Sequence, residues 1–218
     1  MRTLAVIPCF NEETRIAEVV RRCSKYTDAV LVVDDGSTDE TPERAKAAGA
    51  VVISHGHNRG KGVALNTGYA YAVRQGYDAV VTLDGDGQHD PDEIPKLIEA
   101  ARSSEVHVVL GCRMADVKDM PGLRRWTNRT TSRFVSRLSG QRMRDSQTGF
   151  RLIRRAVLEA VHCASRNYEA ESEILIKAGR KGFHIVEVPV ATIYHGGKSS
   201  IHPILDTLRF IRLVLRSW

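Results

Sequence analysis

Short apolar runs rich in valine and isoleucine recur at 4–7, 29–33, 51–53, 79–83, 106–110 and 185–190, and this recurrence limits the possible folds more than any other feature. Each run is too short for a buried helix and lacks the polar alternation of a strand with one wet face. Each is therefore predicted as a strand buried on both faces. Between the first four runs lie helical patterns at 12–24, 41–48 and 62–75, the last two followed by Gly49 and Gly76. Glycine just past a last turn ends a helix because it enters the left-handed region without steric cost. A fourth helix is predicted over 91–102, with Asp90 as its cap and Pro91 at its first position. Strands alternating with helices through short connections imply an α/β fold with a mostly parallel sheet, helices on both faces and right-handed crossovers.

Ligands of such a sheet bind beyond the carboxyl ends of the strands, and polar residues collect there. Pro8-Cys-Phe-Asn-Glu12 follows the first run, Asp34-Asp-Gly-Ser-Thr-Asp39 the second, His55-Gly-His-Asn-Arg-Gly-Lys-Gly62 the third and Asp84-Gly-Asp-Gly-Gln88 the fourth. Asp84 and Asp86, separated by one glycine, can share a hard cation, Mg²⁺ or Mn²⁺, with the Gln88 carbonyl as a third oxygen. Of Asp34, Asp35 and Asp39, two suit a turn leading into the next helix, capped near Asp39 or Thr41; a carboxylate left over can accept from a base or a ribose. In 58–62, glycines at a helix start leave amides exposed and Lys61 adds a positive charge, a cradle for a diphosphate. His55 and His57 have metal-like spacing, but the simpler expectation is that they shape this loop.

Charge is distributed unevenly. Residues 122–155 hold ten arginines (124, 125, 129, 133, 137, 142, 144, 151, 154 and 155), no lysine and one acid, Asp145, giving +9 against −3 for the rest. Such density suits phosphates, an anionic membrane surface or nucleic acid. Arg125, Arg129, Arg133 and Arg137 recur every four residues as a helical stripe, while Leu123, Trp126, Phe134, Val135 and Leu138 offer apolar contact.

The chain of 218 residues, 42% apolar and 27% charged, has the balance of a folded domain rather than a disordered one. No apolar run approaches the ~20 residues that span a bilayer, and the first eight residues are too short for a secretion signal, so a cytoplasmic location is expected. Four widely spaced cysteines, 9, 23, 112 and 163, argue for reduced thiols and against a structural zinc site. One domain over 1–202 is expected, with 203–218 as an amphipathic helix that belongs to it or is appended to it. That helix would rest in a membrane interface, pack on its own domain or meet a second subunit.

In their order, "IPCFNE" (7–12), "VVDDGSTDET" (32–41), "NRGKGVALNTG" (58–68), "LDGDGQHDP" (83–91), "GCR" (111–113), "DSQTGFRL" (145–152), "EVPV" (187–190) and "YHGGKSS" (194–200) are spread over about nine-tenths of the chain. The ordered set resembles the family 2 glycosyltransferases, in particular the branch of dolichyl-phosphate mannose synthase and polyprenyl-phosphate glycosyltransferases. The resemblance implies a GT-A fold with a Rossmann-like nucleotide-binding half and inverting transfer of a hexose from a nucleotide-diphosphate sugar. It implies that Pro8, Phe10, Glu12, Asp35 and Lys61 line the nucleotide pocket, although which carboxylate meets the base stays open. It also implies that Asp84, Asp86 and Gln88 hold the metal, and that Arg113 with Arg125, Arg129 and Arg133 binds the acceptor phosphate. His195, Lys198 and Ser199 belong to a glycine-rich loop resembling the one that closes over the donor; His195 stands near where dolichyl-phosphate mannose synthases usually have arginine. Three roles are open to Asp145: a base, an orienter of the acceptor, or the partner of Arg142 or Arg144. The glutamates of 168–174 are expected to face solvent and the arginines rather than a metal.

The leading expectation is a metal-dependent enzyme using a GDP-mannose or UDP-glucose type of donor and a polyprenyl phosphate acceptor, peripheral on the cytoplasmic membrane face. A hydroxyl acceptor on a glycolipid or saccharide is the alternative. A nucleic-acid-binding module is the remote one, disfavoured because the arginine-rich helix offers only Trp126 and Phe134 for stacking.

Overall fold

The computed structural model describes residues 1–113 and 122–191, without the side chains of 122–124 and 126. His195, Lys198, Ser199 and the 203–218 helix lie outside the described residues, as do the side chains of Leu123 and Trp126.

The first half follows the predicted alternation: β1 (Thr3–Cys9), α1 (Ile16–Cys23), β2 (Ala29–Asp34), α2 (Thr41–Ala47), β3 (Val51–Ser54), α3 (Lys61–Arg74) and β4 (Ala79–Thr82). After a turn of 3-10 helix at Pro91–Glu93 come α4 (Ile94–Ala100), β5 (Val106–Cys112), α5 (Gly122–Ser139), β6 (Arg151–Arg154), α6 (Arg155–Ala160), α7 (Glu169–Arg180) and β7 (His184–Pro189). Asp90 caps the 3-10 turn by accepting from the Asp92 amide at 3.1 Å. Gly49 and Gly76 take φ of 98° and 70°, the left-handed stops expected of them.

The strands form one sheet in the order β3-β2-β1-β4-β6-β5-β7, giving a mixed α/β architecture with helices on both faces. Neighbours pair in parallel except at β6, which runs antiparallel to β4 and β5. Alternate residues of each inner strand feed two cores. Leu4, Val6, Leu31, Val33, Val80 and Ile153 pack under α3, α5, α6 and α7. Ala5, Ile7, Val30, Val32, Val81 and Leu152 pack under α1, α2 and α4. The helix α3 lies so close to β1 that a Cβ on Gly68 would strike the side chain of Val6.

Two expectations need correction. β3 and β7 are not buried on both faces; they are the two sheet edges, with Val51 42% exposed in β3 and only Ile185 buried in β7. β6 was not anticipated, because Arg-Leu-Ile-Arg reads as part of a charged block rather than as a strand. Its reversed direction matters for the site: residues 145–150, which lead into β6, arrive at the edge where β1, β2, β4 and β5 end. Thr82 at the end of β4 ties this segment down by donating to the Gly149 carbonyl at 2.8 Å.

Candidate active site

The loop after β1 turns sharply at Asn11, a non-glycine residue at φ 58°. The turn is secured by mutual bonds to the loop after β2: the Asn11 amide donates to Ser37 Oγ at 2.9 Å, and the Thr38 amide donates to Asn11 Oδ1 at 2.9 Å. Pro8 is buried in β1 opposite Val33, while Phe10 stands 43% exposed at the rim. Glu12 is half-buried facing the acid loop. Burial and then Asp86, opposed by Arg15 and reinforced by Asp84, push its carboxyl up to about 7.

The three acids after β2 are all engaged by the chain itself. Asp34 accepts from the Ser37 amide at 3.0 Å, the turn that was anticipated, and Asp39 accepts from the Thr41 amide at 3.0 Å just ahead of α2, whose N-cap position is Glu40. Asp35, 4% exposed, takes the Gly60 amide at 2.7 Å, the Arg59 amide at 3.0 Å and His55 Nδ1 at 2.7 Å. His55 reaches on to Thr67 Oγ1 at 3.1 Å, so it does shape the loop.

Three amides of the cradle expected at 58–62 are engaged by the protein itself. The Arg59 and Gly60 amides are spent on Asp35, and the Gly62 amide donates to the Arg166 carbonyl at 2.7 Å. The glycines serve close packing instead. A Cβ on Gly62 would stand 2.5 Å from the Ser165 carbonyl oxygen, and one on Gly60 would strike Arg166. What this loop presents to the site is Lys61. Its Nζ lies 2.6 Å from Asp84 Oδ1 and 2.8 Å from Glu171 Oε1.

Asp84 follows β4 with both oxygens attended, Oδ1 by Lys61 and Oδ2 by His89 Nε2 at 3.5 Å. Burial opposes its ionisation, but the Lys61 ammonium and His89 outweigh burial and hold the carboxyl well below the usual range. Asp86 accepts from the Gln88 amide at 3.0 Å, a local turn completed by Gly87 at φ 71°, and its carbonyl takes Arg15 Nη1 at 3.0 Å. His89 is 3% exposed and stacks on Phe150 at 5.5 Å, anchoring this loop to the segment before β6.

Among the described residues, no group of three or more His, Cys, Asp and Glu side chains is gathered as a ready metal cage. Asp84, Asp86 and the Gln88 carbonyl nevertheless offer an all-oxygen set. Mg²⁺ commonly binds through one or two carboxylates together with substrate phosphates, so this donor set suits a hard cation that arrives with a phosphorylated ligand.

Opposite lies a second charged group. Arg113, just past β5, clasps the fully buried Asp145 through Nε at 2.8 Å and Nη2 at 2.9 Å. The Arg113 amide and Asn128 Nδ2 also donate to this carboxylate, at 3.1 and 2.9 Å. Despite burial, the bonds and charge of Arg113 keep the Asp145 carboxyl low. Its partner is thus neither Arg142 nor Arg144, which instead bonds Glu187 at 3.0 Å.

The arginine block divides. Arg125, Arg129, Arg133 and Arg137 all face solvent from α5, with Phe134 48% exposed beside them, whereas Val135 and Leu138 turn into the core. Arg151 is 1% exposed and donates to the carbonyls of Thr148, Glu171 and Ser146 at 2.6, 2.6 and 2.9 Å. Arg154 bonds carbonyls of Val106 and Ser103, and Arg155 faces Asp78 at 3.5 Å. Arg151 is therefore structural, and Arg154 and Arg155 also take partners within the fold.

The glutamates of α7 also depart from expectation. Glu171 and Glu173 are 7% and 4% exposed rather than facing solvent. Glu173 caps the amides of Ala164 and Ser165, and Glu171 faces Lys61. Nothing in the local sequence marked Glu171; its position depends on α7 packing across the start of α3.

Similarity to known proteins identifies the family. The family model for glycosyl transferase family 2 matches residues 4–161. A UDP-N-acetylglucosamine–dolichyl-phosphate N-acetylglucosaminyltransferase of Methanococcus voltae is 34% identical, with 87% of this chain and 84% of that protein aligned. A polyprenol monophosphomannose synthase of Mycolicibacterium smegmatis is 30% identical over 87% of this chain and 76% of its own. In fold, the chain is similar to glucosyl-3-phosphoglycerate synthase of Mycobacterium tuberculosis in complex with Mn²⁺, uridine diphosphate and phosphoglyceric acid. That match has a TM-score of 0.76 at 23% identity, and covers 99% of this chain and 76% of that one. With the site at the strand ends and a family match over most of its length, this chain belongs to glycosyl transferase family 2.

Proposed function

We propose that this glycosyltransferase moves a hexose, with inversion, from a nucleotide-diphosphate sugar of the GDP-mannose or UDP-glucose type to a polyprenyl phosphate. The observation that carries the proposal is the pairing, at one sheet edge, of the Asp84–Asp86 acid loop with the Asp145-held Arg113, beyond which α5 exposes four arginines. Relatives named for dolichyl- and polyprenol-phosphate products support the acceptor class.

In this proposal the nucleotide lies over the ends of β1 and β2, near exposed Phe10 and Glu12. Asp35 acts through the loop amides it gathers, and so sets where Lys61 stands. Asp84, Asp86 and Gln88 hold Mg²⁺ or Mn²⁺ on the diphosphate, which would offset the charge that develops on the leaving nucleoside diphosphate. Arg113, held rigid by Asp145, faces the acceptor phosphate, and Arg125, Arg129 and Arg133 receive the lipid headgroup at an anionic membrane surface. A phosphate monoester is ionised at neutral pH, so its oxygen needs no strong base to attack. Asp145 therefore serves as a positioning residue, consistent with a carboxylate already filled by Arg113 and Asn128. Among the described residues no helix is long and apolar enough to cross a membrane, and peripheral attachment through the arginine face is the proposed arrangement.

The test is transfer of labelled sugar to a short polyprenyl phosphate, to the matching polyprenol and to a saccharide, each with and without EDTA. Product on the phosphate alone, abolished by EDTA, is expected. Product on a hydroxyl acceptor alone would overturn the acceptor, and unchanged turnover in EDTA would overturn the metal.

A further inference from the structure

The Lys61 ammonium is wedged between two carboxylates, 2.6 Å from Asp84 and 2.8 Å from Glu171, with the Tyr168 ring 5.4 Å away on another side. The Lys61 side chain is only 17% exposed, and the remaining oxygen of Asp84 faces His89. The first acid of the Asp84–Asp86 pair is thus already neutralised by side chains of the protein itself. Mg²⁺ or Mn²⁺ on a carboxylate oxygen sits about 2.1 Å away. A divalent ion there and an ammonium on the same oxygen repel strongly in a partly desolvated site, so one excludes the other.

Glu171 determines where the displaced ammonium goes. It projects from α7 rather than from the acid loop, is 7% exposed, and its backbone is pinned by Arg151 Nη1 at 2.6 Å. Gly149 lies at the crossing, where a Cβ would stand 3.0 Å from Asp84 Oδ2 and 3.2 Å from Glu171 Oε1. Gly149 puts no side chain of its own there, so the Lys61 ammonium meets both carboxylates directly.

We propose that Lys61 is the resident counter-ion of Asp84 and exchanges with the divalent cation, pivoting on Glu171 to turn its charge toward the donor diphosphate. The inference rests on this site taking a nucleotide diphosphate with a cation. A cation alone must break the Lys61–Asp84 pair and offers the ammonium nothing in return. When a diphosphate comes with it, the ammonium regains an anionic partner. Lys61 and Glu171 thus make cation and diphosphate each tighten the binding of the other, as linkage requires. Glu171 touches neither ligand in this scheme and is a positioning residue.

The experiment measures Mn²⁺ binding to the full chain by loss of the free-ion paramagnetic resonance signal, alone and with saturating GDP or UDP. Wild type should bind Mn²⁺ at least about tenfold more tightly with nucleotide than without, and Lys61→Met should bind Mn²⁺ alone at least about tenfold more tightly than wild type. In Lys61→Met the gain from nucleotide should shrink, and in Glu171→Gln it should fall below the wild-type gain. Arg15→Met removes a neighbouring positive charge that bonds a backbone carbonyl rather than a carboxylate; it should shift Mn²⁺ binding less than about threefold if exchange, not the general field, is responsible. Lys61→Gln, which removes the charge but keeps a polar amide in place of the ammonium, gives the same readout if the methionine variant fails to fold. Unchanged Mn²⁺ affinity in the Lys61 variants, or an equal gain in Arg15→Met, overturns the exchange while leaving the donor reading intact. No Mn²⁺ binding to wild type with either nucleotide overturns the donor reading and the exchange with it.

Discussion

Arg113 and Asp145 form a two-pronged ion pair, Nε to Oδ2 at 2.8 Å and Nη2 to Oδ1 at 2.9 Å, with the carboxylate wholly buried. The pair joins two segments 32 residues apart in sequence, the end of β5 and the approach to β6. Planar, bidentate pairing fixes the guanidinium in orientation as well as position. Breaking such a pair from one side leaves an uncompensated buried charge. Asp145→Asn should therefore lose about 3–5 kcal/mol of stability in urea unfolding. It should also raise the acceptor KM more than the donor KM. A loss below about 1 kcal/mol would mean that the pair is not buried as described.

The pH dependence of that stability has a definite sign. The Asp145 carboxyl is lowered in the folded chain from an ordinary value of 3.8, because Arg113 and Asn128 outweigh burial. A lowered folded-state value contributes stability that is fully present above 3.8 and fades as pH falls through the folded value. The gap in unfolding free energy between wild type and Asp145→Asn should accordingly be constant from pH 7 to pH 5 and narrow below pH 3.8. A gap that widens on acidification would contradict the assignment.

The contact of α3 with β1 gives a test of the fold alone. Gly68→Ala places a methyl against Val6, and overpacking of this kind costs about 1–3 kcal/mol. Adding Val6→Ala in the same chain should recover part of the loss. Additive losses in the double-mutant cycle would show that the helix does not pack this closely.

The exposed face of α5 gives a test of the acceptor side. Reversing two charges, Arg129→Glu with Arg133→Glu, should raise the KM for polyprenyl phosphate about tenfold or more at low salt and less at high salt, since exposed charges are screened. Donor binding should be unchanged. An equal effect on donor and acceptor would remove α5 from the acceptor path.

Legibility in the sequence followed the physics of each signal. The strands β1, β2 and β4 announced themselves because strands buried on two faces must be continuously apolar, and the acids after them stood out against that background. Asp90, Gly49 and Gly76 were readable because capping and left-handed stops depend on the residue and its near neighbours alone. β6 was not readable: a four-residue strand whose Arg151 is satisfied by three buried carbonyls, one of them 20 residues away, has the same local pattern as a charged surface segment. Glu171 and Asp35 show the same limit. Their partners, Lys61 and the 59–60 amides, lie 110 and at least 24 residues away in sequence, so only the assembled sheet brings them together. The glycines of 60–62 were visible but pointed to the wrong partner, because close approach to backbone and close approach to phosphate demand the same residue.

The most direct measurement is calorimetric titration of GDP and UDP into wild type and Asp86→Ala, each with Mn²⁺ and with EDTA. One nucleotide should bind wild type tightly only with Mn²⁺, and Asp86→Ala should lose at least about tenfold of that affinity while unfolding at an unchanged urea concentration. Equal nucleotide binding by both proteins, in Mn²⁺ and in EDTA alike, would contradict a cation-bridged diphosphate at the Asp84–Asp86 loop.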